Sequence, residues 1–295
     1  MNVNMDLPLK LFKRGKVRDV YAVDDQLLIV STDRISAFDY VLPSLIPDKG
    51  KVLNQLSSFW FQNTSDFIPN HVVSYRPEKL DRFKPFKNKI KKRAILAKRI
   101  SVFPIEAIVR GYIVGSGWKS YQEKGEICKI PMPDGLKFAD RLEEPLFTPS
   151  TKAEQGHDIS ISLDEVKNII GRESAERIRD LSLSLFVRVR DRLLEKGIVL
   201  ADTKFEFGQN PEGDIILVDE IFTPDSSRFW KISDYESARA GGQTPPSYDK
   251  QYVRNFLLES SWDRNSTPPQ LPDPVIRETS KRYREIYRMI TGKGL

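Results

Sequence analysis

Strand-forming patterns dominate the first hundred residues of this chain and helix-forming patterns dominate its end, and this order constrains the fold most. Residues 17–23 alternate apolar and polar side chains, and after the turn residues Asp24 and Asp25 a second run, 26–31, returns, which predicts a β-hairpin. Strands grouped before helices are typical of α+β proteins. We therefore predict an α+β fold with a β-rich N-terminal lobe, residues 1–100, and a larger α/β lobe, residues 101–295.

The periodicity of apolar residues predicts the remaining elements. Two predicted helices cover 51–64 and 275–291. A third, short helix begins with the capping box of Ser162 and Glu165. A longer fourth helix follows and stops at Gly197, and its apolar stripe consists of Ile178, Leu181, Leu185, Val189 and Leu193. Further strands are predicted at 94–98, 103–109, 198–207 and 215–220. Residues 129–161 are rich in Pro, Gly and charged residues, so we predict long functional loops there.

Composition narrows the class of protein. A chain of 295 residues with 30% charged side chains is typical of a globular protein. The single cysteine, Cys128, excludes an internal disulfide, and two histidines are too few for a typical zinc site. No apolar run is long enough to span a bilayer, and the N-terminal residues lack the apolar core of a signal peptide. We therefore expect a cytoplasmic protein.

The formal net charge of +6 indicates acidic partners, either nucleic acid or small phosphorylated and carboxylated ligands. The densest basic segment, residues 84–93, could bind nucleic acid. No nucleic-acid-binding motif accompanies it, so we favour a solvated loop that leads into a strand.

The segment from Leu200 to Gly208 carries the strongest chemical pattern. In a strand, Asp202, Lys204 and Glu206 project from one face and the apolar residues between them from the other. The next predicted strand ends with Asp219 and Glu220, and a hairpin would bring one or the other beside them. Carboxylates that converge in this way suit Mg²⁺, and a lysine among them suits a transferring phosphoryl group. An exposed sheet face with cross-strand ion pairs is the alternative interpretation.

Several other segments could bind anions. The backbone and cations of Gly15, Lys16, Val17 and Arg18 could cover a triphosphate, although this segment taken alone favours a plain turn with solvated cations. Arg110, followed by Ser116 in a glycine-rich loop, could bind a phosphate monoester, unless the glycines only form turns. Arg228 follows the carboxylate strands directly and could hold an anion near them. Asp39 is a further candidate, although its segment could instead be a helix-capping loop. Lys152 lies within residues 148–157, which could form a mobile lid or a disordered loop.

Together these segments resemble the SAICAR synthetase family, and the resemblance runs from about Leu11 to Trp230. VFPIEAIVRGYIVGS and LADTKFEFG match its two signatures. GKVRDVY, DRISAFD, FTPSTKAEQGHD and VDEIFTPDSSRFW are also family-like. The resemblance implies ATP bound in a cleft between the two lobes. It further implies a reaction that joins L-aspartate to carboxyaminoimidazole ribonucleotide in purine biosynthesis, giving the succinocarboxamide, ADP and phosphate.

The resemblance also implies roles for individual residues. ATP phosphates lie under Gly15 to Arg18, and the strand around Lys98 and Arg99 borders the adenine. The implied magnesium ligands are Glu206 and Asp219. The remaining implied roles are Arg110, Ser116 and Arg228 at the ribonucleotide phosphate, and Asp39, Asp202 and Lys204 around the reacting carboxylate. The carboxylates of aspartate also require a cation, and we assign Lys152 to them as a hypothesis from this chemistry and not from the resemblance.

Two other functions remain open on sequence alone. A kinase-like phosphotransferase would use the same ATP-binding parts, but the HRDxxxxN and DFG motifs are absent from the sequence. A nucleic-acid-binding protein would use residues 84–93. The sequence leaves monomer and homodimer equally open.

Overall fold

The computed structural model describes residues 5–152 and 158–295. Sixteen strands and eight α-helices lie within these residues. The strands are β1 (Lys10–Arg14), β2 (Arg18–Val23), β3 (Gln26–Ser31), β4 (Arg34–Ala37), β5 (Tyr40–Leu45), β6 (Val72–Ser74), β7 (Ala94–Lys98), β8 (Ser101–Val102), β9 (Ile105–Tyr112), β10 (Glu126–Ile127), β11 (Ile130–Pro131), β12 (Arg141–Phe147), β13 (Ser150–Thr151), β14 (Ile198–Gln209), β15 (Ile215–Val218) and β16 (Ser227–Lys231). The helices are α1 (Lys49–Asn63), α2 (Lys87–Ile90), α3 (Gly115–Lys124), α4 (Leu163–Ile170), α5 (Arg172–Leu194), α6 (Ile232–Ala240), α7 (Gln251–Glu259) and α8 (Asp273–Thr291).

The N-terminal sheet is five-stranded, in the order β1-β2-β3-β7-β6. Strands β2 and β3 pair antiparallel from Arg18 opposite Ser31 to Val23 opposite Gln26, which confirms the predicted hairpin. Asp24 in its turn has a φ of 55°, a conformation that aspartate tolerates better than most residues. The hairpin therefore presents Arg18 at the end of the sheet that borders the site described below.

The second sheet is seven-stranded and is built around β14, which pairs with β8, β9, β15 and β16. Ala201, Thr203 and Phe205 are buried on one face of β14, and Asp202 and Lys204 are half-buried on the other. The predicted alternation is confirmed, because a strand turns successive side chains to opposite faces. The apolar face packs on the core and the charged face lies toward the site.

Helix α5 covers the apolar face of this sheet. Its predicted stripe is confirmed, since Ile178, Leu185 and Val189 are completely buried in the largest core cluster. Burial of each side chain of this size contributes about 1.5–3 kcal/mol. The capping box that begins α4 is also confirmed, because the Ser162 side chain accepts from the backbone N–H of Glu165 and the Glu165 side chain accepts from that of Ser162.

The N-terminal and second sheets divide between Lys98, the last residue of β7, and Ser101, the first of β8. Helix packing crosses this division. Helix α1 buries Val52 and Trp60 in the core cluster of the second sheet, and the small β4–β5 hairpin buries Ile35 against α7 and α8. The division of the chain into two lobes at residue 100 stays a prediction.

Two predictions of loops were wrong in part. Residues 129–161 contain β11, β12 and β13, of which the last two add to β9. The strands β12 and β13 form because their backbone groups pair with those of β9, which is distant in sequence. The basic segment 84–93 forms a 3-10 turn and α2 instead of a loop, and it is fixed by burial of Phe86 and Ile90.

Within the described residues, no helix has the length and apolar character that crossing a membrane requires.

Candidate active site

The charged face of β14 carries a chain of ion pairs. Lys204 Nζ donates to Glu106 Oε1 at 2.6 Å and to Glu206 Oε1 at 3.1 Å. Lys152 Nζ donates to the other oxygen of Glu206. Burial alone would raise the pKa of Glu206, but the ammonium groups of Lys204 and Lys152 outweigh it and lower the pKa to about 2. Burial alone would lower the pKa of Lys204, and Glu206 and Glu106 raise it instead. Glu206 and Lys204 are therefore charged at neutral pH.

The end of β15 brings further carboxylates to the same place. Residue Glu206 lies opposite Val218, so Asp219 follows directly beside it. The strand stops at Val218, one residue before Asp219, which has a φ of 68°. The Arg18 guanidinium, from the N-terminal sheet, donates to Asp219 Oδ2 at 2.5 Å and lies 3.5 Å from Glu220 Oε1. Arg18 of the N-terminal sheet thus meets the carboxylates that strands β14 and β15 of the second sheet present.

The carboxylates of Glu206 and Asp219 fit a magnesium ion that is held largely by a bound nucleotide. Mg²⁺ usually takes one or two carboxylates and completes its octahedron with phosphate oxygens and water. The described residues include no group of three or more His, Cys, Asp and Glu side chains arranged to hold a metal by themselves. The donor chemistry therefore suits Mg²⁺ with ATP better than a metal bound by protein alone.

A first cavity of about 390 Å³ lies under the loop of Gly15 to Arg18. It is also lined by Asp39, Glu106, Lys204 and Glu220, so five predicted binding residues and the predicted catalytic Lys204 share it. Gly15 N–H donates to Arg18 O at 2.8 Å, which closes the loop, and Lys16 Nζ donates to Asp39 Oδ1 at 2.5 Å.

Buried Arg34 supports this loop, a role that the sequence analysis missed. Its Nη2 donates to Gly15 O at 3.0 Å and its Nε to Lys16 O at 3.1 Å. Arg34 also pairs with the buried Asp19 at 2.7 Å. The backbone carbonyls of Gly15 and Lys16 are thus held by a fixed cation behind the loop that lines the cavity.

A second cavity of about 320 Å³ adjoins the first. Arg110 lies at its edge, where its Nη2 donates to Ser116 Oγ at 2.7 Å and its Nη1 to Asp202 Oδ2 at 3.0 Å. Arg228 Nε donates to Asp249 Oδ2 at 3.4 Å. The structure thus brings together the predicted residues Arg110, Ser116, Asp202 and Arg228. Burial lowers the pKa of Arg110, and Asp202 opposes that effect.

Gly115 is required between the two arginines. Its φ of 56° is one that side chains rarely adopt, and a Cβ there would lie 3.3 Å from Arg228 Nη2. The signature glycine therefore leaves space for the guanidinium groups to converge.

The two cavities share four lining residues, and we refer to them together as the cleft. The shared residues are Lys204, Asp225, Lys250 and Arg254. Of these four, only Lys204 is predicted from the sequence. The Lys-x-x-x-Arg spacing at the start of α7 was the available signal, because residues four apart lie on one face of a helix.

Lys250 and Arg254 differ from the other cations of the cleft. The Lys250 ammonium makes no side-chain hydrogen bond or ion pair with any described residue, and burial lowers the pKa of Lys250. The Nε atom of Arg254 is buried without a hydrogen-bond partner in the part of the chain that the structure describes. Cations without an ion-pair partner in a partly buried site are costly, so two of them close together indicate a site for an anionic ligand.

Asp225 is held rigidly between the two cavities. Its Oδ2 accepts from Lys49 Nζ at 2.6 Å and its Oδ1 from Tyr283 Oη at 2.7 Å. Lys49 is completely buried, and so is Tyr283 on α8. Burial alone would raise the pKa of Asp225, but Lys49 and the other donors lower it.

The remaining predicted residues lie elsewhere. Lys98 and Arg99 are exposed, the described lining of the cleft includes neither, and the Arg99 guanidinium lies 4.8 Å from the centre of the Phe12 ring. Lys152 lies at Glu206, as described above. Of the predicted lid, residues 153–157 are outside the described residues.

A larger cavity, of about 580 Å³, lies between the β14–β15 turn and the start of α5. Its described lining includes none of the predicted site residues, and its charged members Glu173, Arg177 and Asp214 are exposed and of mixed sign. The volume of a cavity therefore does not identify the functional site of this protein. The charged side chains that converge on the cleft identify it instead.

Comparison with known proteins agrees with this assignment. The family model described as SAICAR synthetase matches residues 11–269. The phosphoribosylaminoimidazole-succinocarboxamide synthase of Thermodesulfovibrio yellowstonii is 49% identical over 285 residues, 96% of each chain. That of Geobacter sulfurreducens is also 49% identical, over 98% of this chain and 97% of its own. The solved SAICAR synthase from Saccharomyces cerevisiae, complexed with SAICAR, superposes with a TM-score of 0.87 at 39% identity and covers 100% of this chain and 99% of its own.

These matches confirm the predicted α+β fold and ligase function, and they remove the kinase-like and nucleic-acid-binding alternatives as the main function. The chain belongs to the SAICAR synthetase family, which catalyses the ATP-dependent ligation of aspartate in purine biosynthesis.

Proposed function

We propose that this enzyme activates the carboxylate of carboxyaminoimidazole ribonucleotide as an acyl phosphate within the cleft and then couples it to L-aspartate. One observation carries the proposal. A cavity under a phosphate-covering loop and a cavity with two converging arginines share Lys204, so a phosphoryl donor and an anionic acceptor can meet at one cation.

The ATP phosphates lie under Gly15, Lys16, Val17 and Arg18 in this proposal. Two features support it: the ammonium of Lys16, which lines the cavity, and the buried Arg34 that holds the loop from behind. The adenine borders Lys98 and Arg99, so residues 1–100 form the ATP-binding lobe. A cytoplasmic location follows from a purine-biosynthetic role.

Glu206 and Asp219 would hold the magnesium ion that accompanies ATP. Bound there, Mg²⁺ would neutralise charge on the phosphate oxygens during transfer. The ion pairs of these carboxylates with Lys152, Lys204 and Arg18 would have to rearrange when the metal and nucleotide bind. The low pKa of Glu206 keeps its carboxylate ready as a ligand at neutral pH.

Arg110, Ser116 and Arg228 bind the 5′-phosphate of the ribonucleotide. The planar guanidinium matches two phosphate oxygens, and Ser116 adds a hydroxyl donor. With the phosphate there, the carboxylate of the imidazole reaches toward Lys204, Asp202 and Asp39, which line the two cavities between them.

Lys250 and Arg254 bind the carboxylates of aspartate. Aspartate carries two carboxylates and one ammonium, and the shared part of the cleft offers two unpaired cations and one fixed carboxylate, that of Asp225. Lys152, the residue expected near aspartate from the sequence, would approach from the Glu206 side when the nucleotide displaces its ion pair.

The chemistry takes place in two steps. A carboxylate oxygen of the ribonucleotide attacks the γ-phosphorus of ATP, the bond to the bridging oxygen breaks and ADP leaves. The amine of aspartate then attacks the carbonyl carbon, and phosphate leaves with the former carboxylate oxygen while the amine loses its proton. Lys204 stabilises charge on the phosphoryl oxygens in both steps, because it is a fixed cation in a partly buried site.

Heavy-oxygen labelling of the ribonucleotide carboxylate tests this route. We expect one labelled oxygen in the released phosphate for each amide formed. A reaction without the labelled substrate reports background hydrolysis of ATP. Unlabelled phosphate alongside accumulating amide would exclude the acyl phosphate.

A further inference from the structure

The turn between β4 and β5 is strained. Ala37 pairs with Tyr40, so the hairpin is closed by the two residues Phe38 and Asp39, with φ of 51° and 67°. Turns of this kind favour Asn-Gly or Asp-Gly, and a bulky aromatic residue in the left-handed region is a genuine outlier. Strain of this kind persists where the surrounding structure requires it, often at functional sites.

The strained turn lies at the cleft. Phe38 and Asp39 both line the first cavity, and Phe38 is the one aromatic residue in the described lining of the cleft. The Arg254 guanidinium lies 5.6 Å from the centre of the Phe38 ring, and Trp262 packs against the ring at 6.2 Å.

The Arg254 guanidinium lies over the Phe38 ring. The Nε atom of Arg254 is buried without a hydrogen-bond partner among the described residues, and no carboxylate of those residues pairs with its guanidinium. An arginine normally takes its orientation from carboxylates or carbonyls. Here an aromatic face supplies an attraction that does not occupy the N–H groups.

We propose that Phe38 is a positioning residue for aspartate binding, because its strained turn holds the ring against Arg254 and leaves the guanidinium N–H groups to the substrate carboxylate. The inference rests on the proposed role of Arg254. An acidic residue in place of Phe38 would orient the arginine more strongly but would compete with the substrate for the same N–H groups. An aromatic ring orients the guanidinium without competing with the substrate for its N–H groups.

The test uses Phe38→Leu, Phe38→Tyr and Arg254→Ala in the full-length enzyme, with KM measured for all three substrates. Phe38→Leu keeps an apolar side chain and loses the aromatic face, so the KM for aspartate should rise about 3- to 30-fold while the KM for ATP stays within twofold. Phe38→Tyr keeps the face and should retain the wild-type KM. In the Arg254→Ala background, Phe38→Leu should have no further effect.

Two additional variants separate positioning from folding. Phe38→Gly suits the left-handed turn and should fold, yet it should raise the KM for aspartate as Phe38→Leu does. Asp24→Gly relieves a similar conformation, φ 55°, in the β2–β3 turn, which is absent from the described lining of the cleft, and should leave every KM unchanged.

The outcomes are distinct. If Arg254→Ala raises the KM for aspartate and Phe38→Leu does not, the role of Phe38 is refuted and that of Arg254 stands. If Arg254→Ala leaves the KM for aspartate unchanged, the proposed aspartate site itself is refuted. A rise in all three KM values for Phe38→Leu would show a general structural role and would overturn the proposal.

Discussion

The β14–β15 hairpin and helix α7 both present cations and carboxylates to the same cleft, but they differ in pairing. On the hairpin side, Lys204 and Arg18 contact carboxylates within the protein. On the helix side, Lys250 and Arg254 contact no carboxylate of the described residues within hydrogen-bonding distance. Paired charges are fixed in place before the substrate binds, and their removal leaves the partners unsatisfied. Unpaired cations lower the stability of the free protein and become useful only with an anion present.

The largest effect is expected on the paired side, from Lys204→Met. Turnover should fall about 10²- to 10³-fold, with ADP and amide formation lost together, because a fixed cation is removed from the phosphoryl group. Thermal stability should also fall, since Glu106 and Glu206 lose their shared partner. Lys196→Met, at the end of α5 and outside the described lining of the cleft, is the control. Wild-type ADP formation by Lys204→Met would contradict the assignment.

A smaller and more selective effect is expected on the unpaired side, from Lys250→Met. The KM for aspartate should rise about 10- to 100-fold, the loss expected for one charged hydrogen bond. Thermal stability should stay the same or rise, because a half-buried charge without an ion-pair partner is removed. Steady-state kinetics and thermal unfolding measure the two effects, and Lys250→Arg, which keeps the charge, should bind aspartate more tightly than Lys250→Met. A loss of stability without a change in KM would make Lys250 structural.

The smallest effect concerns pH. The folded pKa of Glu206 is about 2, below its ordinary value of 4.5, so its ion pairs stabilise the fold above pH 4.5 and lose that contribution as the pH falls toward 2. Between pH 6 and pH 3, urea unfolding should show that the wild type loses about 1–3 kcal/mol more stability than Glu206→Gln. Equal pH dependence of the two proteins would mean that Glu206 is not held ionised by its neighbours.

The parts of this site that were predictable from sequence lie on regular local structure. Asp202, Lys204 and Glu206 share a face because a strand repeats every two residues, and Asp219 lies beside Glu206 because a short turn joins the two strands. The glycines after Arg110 suggested a phosphate site from the sequence, but only the structure shows that Gly115 leaves room for the Arg228 guanidinium.

The parts that were missed depend on distant contacts. Lys250 and Arg254 come from a helix far along the chain, and their four-residue spacing is common on exposed helix faces. No local pattern distinguishes these two residues from other cations. They stand out only because no carboxylate of the described residues pairs with them in a cleft that other segments mainly build. The strands β12 and β13 were missed for a related reason, since they form by pairing with β9.

The sequence by itself determined the fold class, the family and the charged face of β14, because these follow from periodicity and from long, specific motifs. Tertiary structure alone decided which charges are paired, that α1 packs on the core of the second sheet, and that the turn of Phe38 and Asp39 lies against Arg254. The physical reason is that pairing and burial depend on which segments meet. In an antiparallel sheet with many long-range neighbours, the partner of a side chain is often more than a hundred residues away, as Arg18 is from Asp219.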